Sequence, residues 1–182
     1  SIDPNLAESY KISDDGKEYT FTLKEGLTCH DGEALTAEDA AYSFNRVADT
    51  DLAFTGNSAG FVYKSIDFKE ARADSEREVT IVLGGPNHIA LGLIAEVYVH
   101  CKDSYEKMSK DDAASNPIGS GPYEFVKWDK GSQIVLKKAA NPPIPTNFEN
   151  VIWRVIPEAS TRTAELIAGN VDMITNASPD QV

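Results

Sequence analysis

The chain has 182 residues, 41% apolar and 25% charged, the proportions of one ordinary globular domain with its own core. Its 29 acidic against 17 basic residues give a net charge of −12, which repels nucleic acid and anionic lipid, so neither is expected as a partner. No apolar run is long enough to span a bilayer, and no signal peptide is visible.

Residues 6–12 read as a strand, and Ser13-Asp14-Asp15-Gly16-Lys17 as a hairpin turn whose Asp-Gly step supplies a positive φ. Tyr19, Phe21 and Leu23 alternate with Thr20, Thr22 and Lys24, a period of two that predicts a second strand pairing back on the first. Gly26 and Asp31-Gly32 mark turns. Thr36 is placed as an N-cap, with Glu38 and Asp39 in the first helical turn; Thr36-x-x-Asp39 nearly matches the capping box. Ala40, Phe44, Val47 and Ala48 then recur at helical spacing, which predicts a helix over 37–47 with one apolar stripe.

Residues 49–60 carry small and turn residues without periodicity and predict a loop around a lone aromatic, Phe54. Residues 65–71 and 78–83 read as two strands around a polar turn, with Val79, Ile81 and Leu83 facing one way. Residues 89–96 are apolar almost all round and predict a buried helix, followed by a short strand to His100. Asp103 or Ser104 is expected to cap a small helix through Met108, and 110–115 to be a loop.

Residues 116–120 form a glycine-punctuated turn into a strand over 123–128. Its Gly-Ser-Gly is no phosphate cradle, since no strand–loop–helix order and no Lys-Ser/Thr pair follow. Asp129-Lys130-Gly131 turns the chain into a return strand over 132–138, and 139–147, with three prolines, reads as a surface loop. Residues 151–156 predict a strand with Trp153 and Arg154 on opposite faces. Ser160 is expected to cap a helix that Glu165 supports and Gly169 ends. A further strand at 171–174 would complete a βαβ unit with a parallel pair. Ser178-Pro179-Asp180-Gln181 has the pattern of a helix start, yet the chain stops one residue later, so a fragment is expected.

The acid pairs Asp14/Asp15, Glu38/Asp39 and Asp111/Asp112 invite a carboxylate mechanism, but neighbours on a strand or helix point apart. Turn, cap and solvated-loop roles explain all three. There is no Gly-x-Ser-x-Gly elbow. Two cysteines and three scattered histidines make no zinc spacing. His30 is expected to hold a turn by hydrogen bonds; His88 and His100 show no partners. A hydrolase is therefore disfavoured and no cofactor is expected. An adhesion or interaction domain finds no repeat or apolar strip to support it.

Residues 6–46, LAESYKISDDGKEYTFTLKEGLTCHDGEALTAEDAAYSFNR, resemble the signature region of bacterial solute-binding proteins of peptide transporters, the oligopeptide/dipeptide-binding family. NPIGSGPYEFVKW at 116–128 and VIPEASTRTAELIAGNVDMI at 155–174 are similar to two further family segments, in the family's order and nearly at its spacing. The chain departs from the family at 139–145, AANPPIP, where an aromatic pair is usual.

The resemblance implies a mixed α/β fold of the periplasmic-binding-protein type II-like class, of which this chain is part of lobe I. Residues 1–101 would form a β-rich subdomain and 102–182 part of the α/β core, with lobe II and the hinge absent. It implies a non-enzymatic substrate-binding component of an ABC importer, periplasmic or, in a Gram-positive organism, lipid-anchored. Such a component captures di- or oligopeptides and delivers them to a membrane permease. An opine, an oligosaccharide or a nickel chelate are the alternative ligands. In the family the segment after the first helix reaches the ligand cleft, which makes Phe54, Thr55 and Asn57 candidate ligand contacts; a plug over the core is the other reading of Phe54. Cys29 and Cys101, 72 positions apart, keep two readings. They form a disulfide of an exported protein, or Cys29 is a buried small hydrophobe where the family carries a large one.

Overall fold

The computed structural model describes residues 5–52 and 61–177. Phe54, Thr55, Asn57 and the helix-start pattern at 178–181 lie outside the described residues. The chain enters as a hairpin of β1 (Ala7–Ile12) and β2 (Glu18–Leu23), with Ile12 opposite Tyr19. Gly16 closes the turn at φ 69°, and the Ser13 hydroxyl accepts from the Glu18 N–H at 2.9 Å. A second hairpin, β3 (Phe68–Ala73) and β4 (Glu78–Leu83), slots beside the first in the antiparallel order β1-β2-β4-β3. Tyr19 lies opposite Ile81 and Phe21 opposite Val79. This register puts the period-two residues Tyr19, Leu23, Val79, Ile81 and Leu83 together in the core.

Helix α1 (Ala37–Ala48) packs on β3 and β4 and buries Ala37, Ala40, Ala41 and Phe44. Its start is tied as the sequence expects. Asp39 Oδ2 accepts from both the Thr36 N–H and the Thr36 hydroxyl, each at 2.8 Å. Farther along α1, Asn45 Nδ2 donates to Ala71 O at 2.7 Å, while its Oδ1 accepts from the Ala71 N–H at 2.9 Å. The Asn45 amide thus occupies the outer side of β3, an edge strand, as a neighbouring strand would.

Several short elements differ from the sequence expectation. The strand expected over 65–71 begins three residues later, because helix α2 (Tyr63–Ile66) holds its start and ends at Asp67 in the left-handed region, φ 49°. Val62, Tyr63 and Ile66 are buried on one helical face, and that burial overrides local strand preference. The helix at 89–96 shortens to α3 (Ala90–Ile94), with Ile89 exposed. The strand expected before His100 reduces to one bridge between His100 and Gly119. Cys101, not Asp103 or Ser104, sits at the N-cap of α4 (Lys102–Lys107), since the buried Ser104 hydroxyl donates to Asp31 instead. Residues 110–115 are helical, α5 (Lys110–Ser115). Ser109 Oγ accepts from the Asp112 N–H at 3.1 Å, and Asp111 and Asp112 suit the helix start.

The second sheet holds β5 (Tyr123–Asp129), β6 (Gln133–Lys138) and β7 (Asn150–Arg154) in that order, antiparallel throughout. Helix α6 (Ala159–Ile167) follows, with Glu158 rather than Ser160 at its N-cap. Ser160 falls inside the first turn. No ladder forms at 171–174, so the described residues contain no parallel pair and no βαβ unit. A parallel strand needs a partner edge beside it, and Met173 here is 71% exposed. Apolar side chains stand open on both faces of this sheet. Trp128, Ile134 and Trp153 align across the strands on one face, and Ile152 is exposed on the other. The proline loop is not merely a surface excursion: Asn141 Nδ2 donates to Gly26 O at 2.8 Å and Lys24 Nζ to Pro143 O at 3.2 Å. Among the described residues no helix is long and apolar enough to cross a membrane.

A disulfide joins Cys29 to Cys101, both buried, with Cα atoms 6.1 Å apart. It closes a loop that contains α1, β3 and β4, while β1 and β2 precede it. Replacing both cysteines by serine is expected to lower unfolding free energy by about 4 kcal/mol, from the chain-entropy cost of freeing so long a loop. Urea unfolding of the two proteins side by side measures it. His100 supplies a pH dependence. Burial, and secondarily the Arg46 charge, push its imidazole down to about 4 from 6.5. The folded state thus prefers the neutral ring, so this stabilisation is complete above pH 6.5 and is lost as pH falls toward 4. Its full size is about 3 kcal/mol. Comparing urea midpoints of the protein and His100→Asn between pH 7 and 4 should show a steeper acid loss in the unsubstituted protein.

Candidate functional site

The turn between β2 and α1 is built from short main-chain closures. The Leu35 N–H donates to Leu27 O at 3.0 Å, the Cys29 N–H to Glu33 O at 2.8 Å, and the Gly32 N–H to Cys29 O at 3.0 Å. Gly32 takes φ 91°, a conformation that a side chain there would strain. This compact turn pushes His30 against the loop at 116–121.

His30 grips that loop three ways. Its main-chain N–H donates to Gly119 O at 2.9 Å, and its Nδ1 accepts from the Gly119 N–H at 3.3 Å. With Nδ1 accepting, Nε2 carries the proton and donates to Gly121 O at 3.0 Å. A Cβ at Gly119 would meet His30 Cε1 at 3.3 Å, so the glycine permits the close approach. His30 therefore ties a distant loop rather than its own turn. Both ring nitrogens are engaged by main chain, which leaves neither for a metal or a proton relay.

Around His30 the other polar side chains are equally engaged. Asp31 accepts from the Ser104 hydroxyl. Asp39 Oδ1 accepts from the Lys102 N–H at 2.8 Å, and Glu38 pairs with Lys102 Nζ. Ser43 Oγ accepts from the His100 N–H at 2.7 Å and donates to Asp39 O at the same distance. Asp15 accepts from the Ser13 hydroxyl in the first hairpin, which holds its carboxyl below the usual range. Asp112 belongs to the cap of α5. The adjacent acids of the sequence thus sit in turns and caps. His88 is exposed. Among the described residues no three His, Cys, Asp or Glu side chains cluster as a metal site.

An open groove of about 550 Å³ runs beside the junction, between the turn at 30–31 and strand β5, with Met108, Asn116, Ile118 and Phe125 in its walls. Its charged wall residues Glu124 and Lys137 pair with each other at 2.5 Å. It offers shape and apolar contact, but no unengaged acid, base or nucleophile. Sequence reasoning singled out His30 through the His-Asp-Gly turn; it missed the partner, because Gly119 and Gly121 lie about ninety residues on. Truncating His30→Ala is expected to cost about 2 kcal/mol, the size of two lost partly buried hydrogen bonds plus an orphaned carbonyl. It should also speed amide exchange at 119–121 more than in β2, read by hydrogen-exchange mass spectrometry.

The comparisons with known proteins agree on one family. The model for bacterial extracellular solute-binding proteins, family 5, middle part, matches residues 1–182. The probable D,D-dipeptide-binding periplasmic protein DdpA of Escherichia coli is 32% identical, with all of this chain covering 35% of that protein. Heme-binding protein A of Haemophilus influenzae is 30% identical, over 95% of this chain and 35% of its own length. Among solved structures, NikZ from Campylobacter jejuni in complex with Ni(L-His) superposes with a TM-score of 0.77 at 28% identity, over 94% of this chain and 34% of that one. The chain thus spans about a third of the length of the relatives it matches. Members of this family are solute-binding proteins, periplasmic or extracellular, and the 182 residues belong to the bacterial extracellular solute-binding proteins of family 5.

Proposed function

We propose that the chain supplies part of one lobe of an ABC-importer substrate-binding protein that captures small peptides outside the cytoplasmic membrane and hands them to a membrane permease. The family match over the whole chain carries this reading. Residues 1–101 are its β-rich subdomain and 102–182 part of its α/β core. The apolar faces that the second sheet leaves open, Trp128 and Trp153 on one side and Ile152 on the other, then pack against other parts of the polypeptide. A second lobe closes over the ligand about a hinge, and closure buries it.

Peptide is favoured over an opine, an oligosaccharide or a nickel chelate by the dipeptide named for the 32%-identical relative. Phe54, Thr55 and Asn57 are the proposed contacts from this chain. No chemical step belongs to the reading, since the polar side chains of the His30 junction are already bonded to the protein's own main chain or to one another. The Cys29–Cys101 disulfide suits an oxidising, extracytoplasmic compartment.

Native mass spectrometry of the full-length protein, purified without refolding, should reveal a co-purified peptide mass. Calorimetry with di- and tripeptides should then show saturable binding, weakened about tenfold by Phe54→Ala. The 182 residues alone should show no binding at the same concentrations. A full-length protein that carries and binds none of these peptides would sink the peptide reading.

A further inference from the structure

Arg162 lies near the start of α6, and its guanidinium is bonded to main chain on two sides of that helix. Nη1 donates to Ile156 O at 2.9 Å and to Pro157 O at 2.7 Å, in the segment that leads into α6. Nε donates to Thr175 O at 3.1 Å and Nη2 to Asn176 O at 2.9 Å, in the segment that leads away from it. One planar side chain thus gathers four carbonyls from two stretches about twenty residues apart. Arg154 on β7 pairs with the Glu165 carboxylate at 2.9 Å and reaches a single carbonyl, Asn170 O, at 3.3 Å, just before the outgoing stretch.

Little else holds the outgoing stretch among the described residues. Residues 171–177 join no ladder. Met173 is 71% exposed and Ile167, at the end of α6, 81% exposed; only Val171 and Ile174 of the stretch are half-buried, so apolar packing holds its path weakly. Asn176 takes φ 55°, a left-handed turn that asparagine accepts more readily than other side-chain-bearing residues, and the bond from Nη2 lands on its own carbonyl. A lysine would not replace this arrangement. An ammonium is a compact point donor, while the guanidinium is a rigid fork whose donors diverge in one plane.

We propose that Arg162 is a positioning residue, a clasp that fixes where and in which direction the chain leaves α6 by binding the entry carbonyls of 156–157 to the exit carbonyls of 175–176. The clasp itself depends only on the bonds above. Its consequence for ligand capture rests on the two-lobe reading: a fixed exit point sets the path along which the polypeptide continues, and so narrows the range of lobe–lobe arrangements in the empty protein.

The test uses the full-length natural protein, Arg162→Lys and Arg162→Ala, without ligand. Hydrogen-exchange mass spectrometry should show amides within 170–177 exchanging about tenfold faster in both variants, while β2 and β4 keep their rates. Added methylguanidinium should slow exchange again in Arg162→Ala and leave Arg162→Lys unchanged. Unaltered exchange at 170–177, or full restoration by lysine, overturns the clasp. If Arg162→Ala also loosens β2 and β4, the lysine variant decides. Spin labels at Lys11 on β1 and in the second lobe give the functional arm. The distance distribution should broaden in both variants. Faster exchange at 170–177 with an unbroadened distribution overturns the positioning role. An unsubstituted protein whose scattering shows no second lobe overturns the two-lobe reading instead, and with it the functional half of the proposal.

Discussion

The turn between β2 and α1 is fastened to the stretch at 100–121 by covalent and polar ties of different kinds. The Cys29–Cys101 disulfide is the covalent one. Beside it His30 holds Gly119 and Gly121, Asp31 holds Ser104, and Asp39 holds the first amide of α4. All of these join residues far apart in sequence, so none is favoured by local propensity, and each must outweigh the entropy of closing a long loop. The disulfide meets that cost in the unfolded chain, and the hydrogen bonds then fix the orientation. Through this seam, joined by the bonds of the proline loop to Lys24 and Gly26, the four-stranded sheet with α1 is tied to the residues that follow.

A second theme is the use of side chains as substitutes for main-chain partners. Asn45 stands in for a strand along β3, Ser43 for a partner to His100, and Asp39 for a preceding turn at the start of both α1 and α4. Buried amides and carbonyls need partners, and where the ladders end these side chains provide them. The pattern has a chemical corollary. Groups committed to holding carbonyls and amides are unavailable for proton transfer or nucleophilic attack, so the junction serves as a scaffold. That agrees with a family whose members bind solutes.

Much of the first unit was legible in the sequence, for identifiable reasons. Tyr19, Phe21 and Leu23 alternate cleanly, and Thr36 with Asp39 declares a helix start through contacts only three residues apart. The second hairpin was readable from Val79, Ile81 and Leu83. Elements decided by distant partners were not readable. Helix α2 exists because Val62, Tyr63 and Ile66 find the core, and α4 begins at Cys101 because Ser104 turns toward Asp31. Residues 171–174, Val-Asp-Met-Ile, are apolar enough to suggest a strand, but composition supplies no neighbour to pair with. His30 was visible as part of a turn, while its glycine partners were not. Phe54, Thr55 and Asn57, named by resemblance alone, fall in the stretch outside the described residues.

The seated amide of Asn45 makes the first sheet asymmetric at its two rims. A foreign strand approaching β3 finds the donor and acceptor of Ala71 already occupied. Along β1 no such guard is found among the described residues, and Tyr10 and Ile12 stand exposed there. Sideways extension of this sheet is therefore blocked at Ala71 on one flank and meets no equivalent block among the described residues on the other.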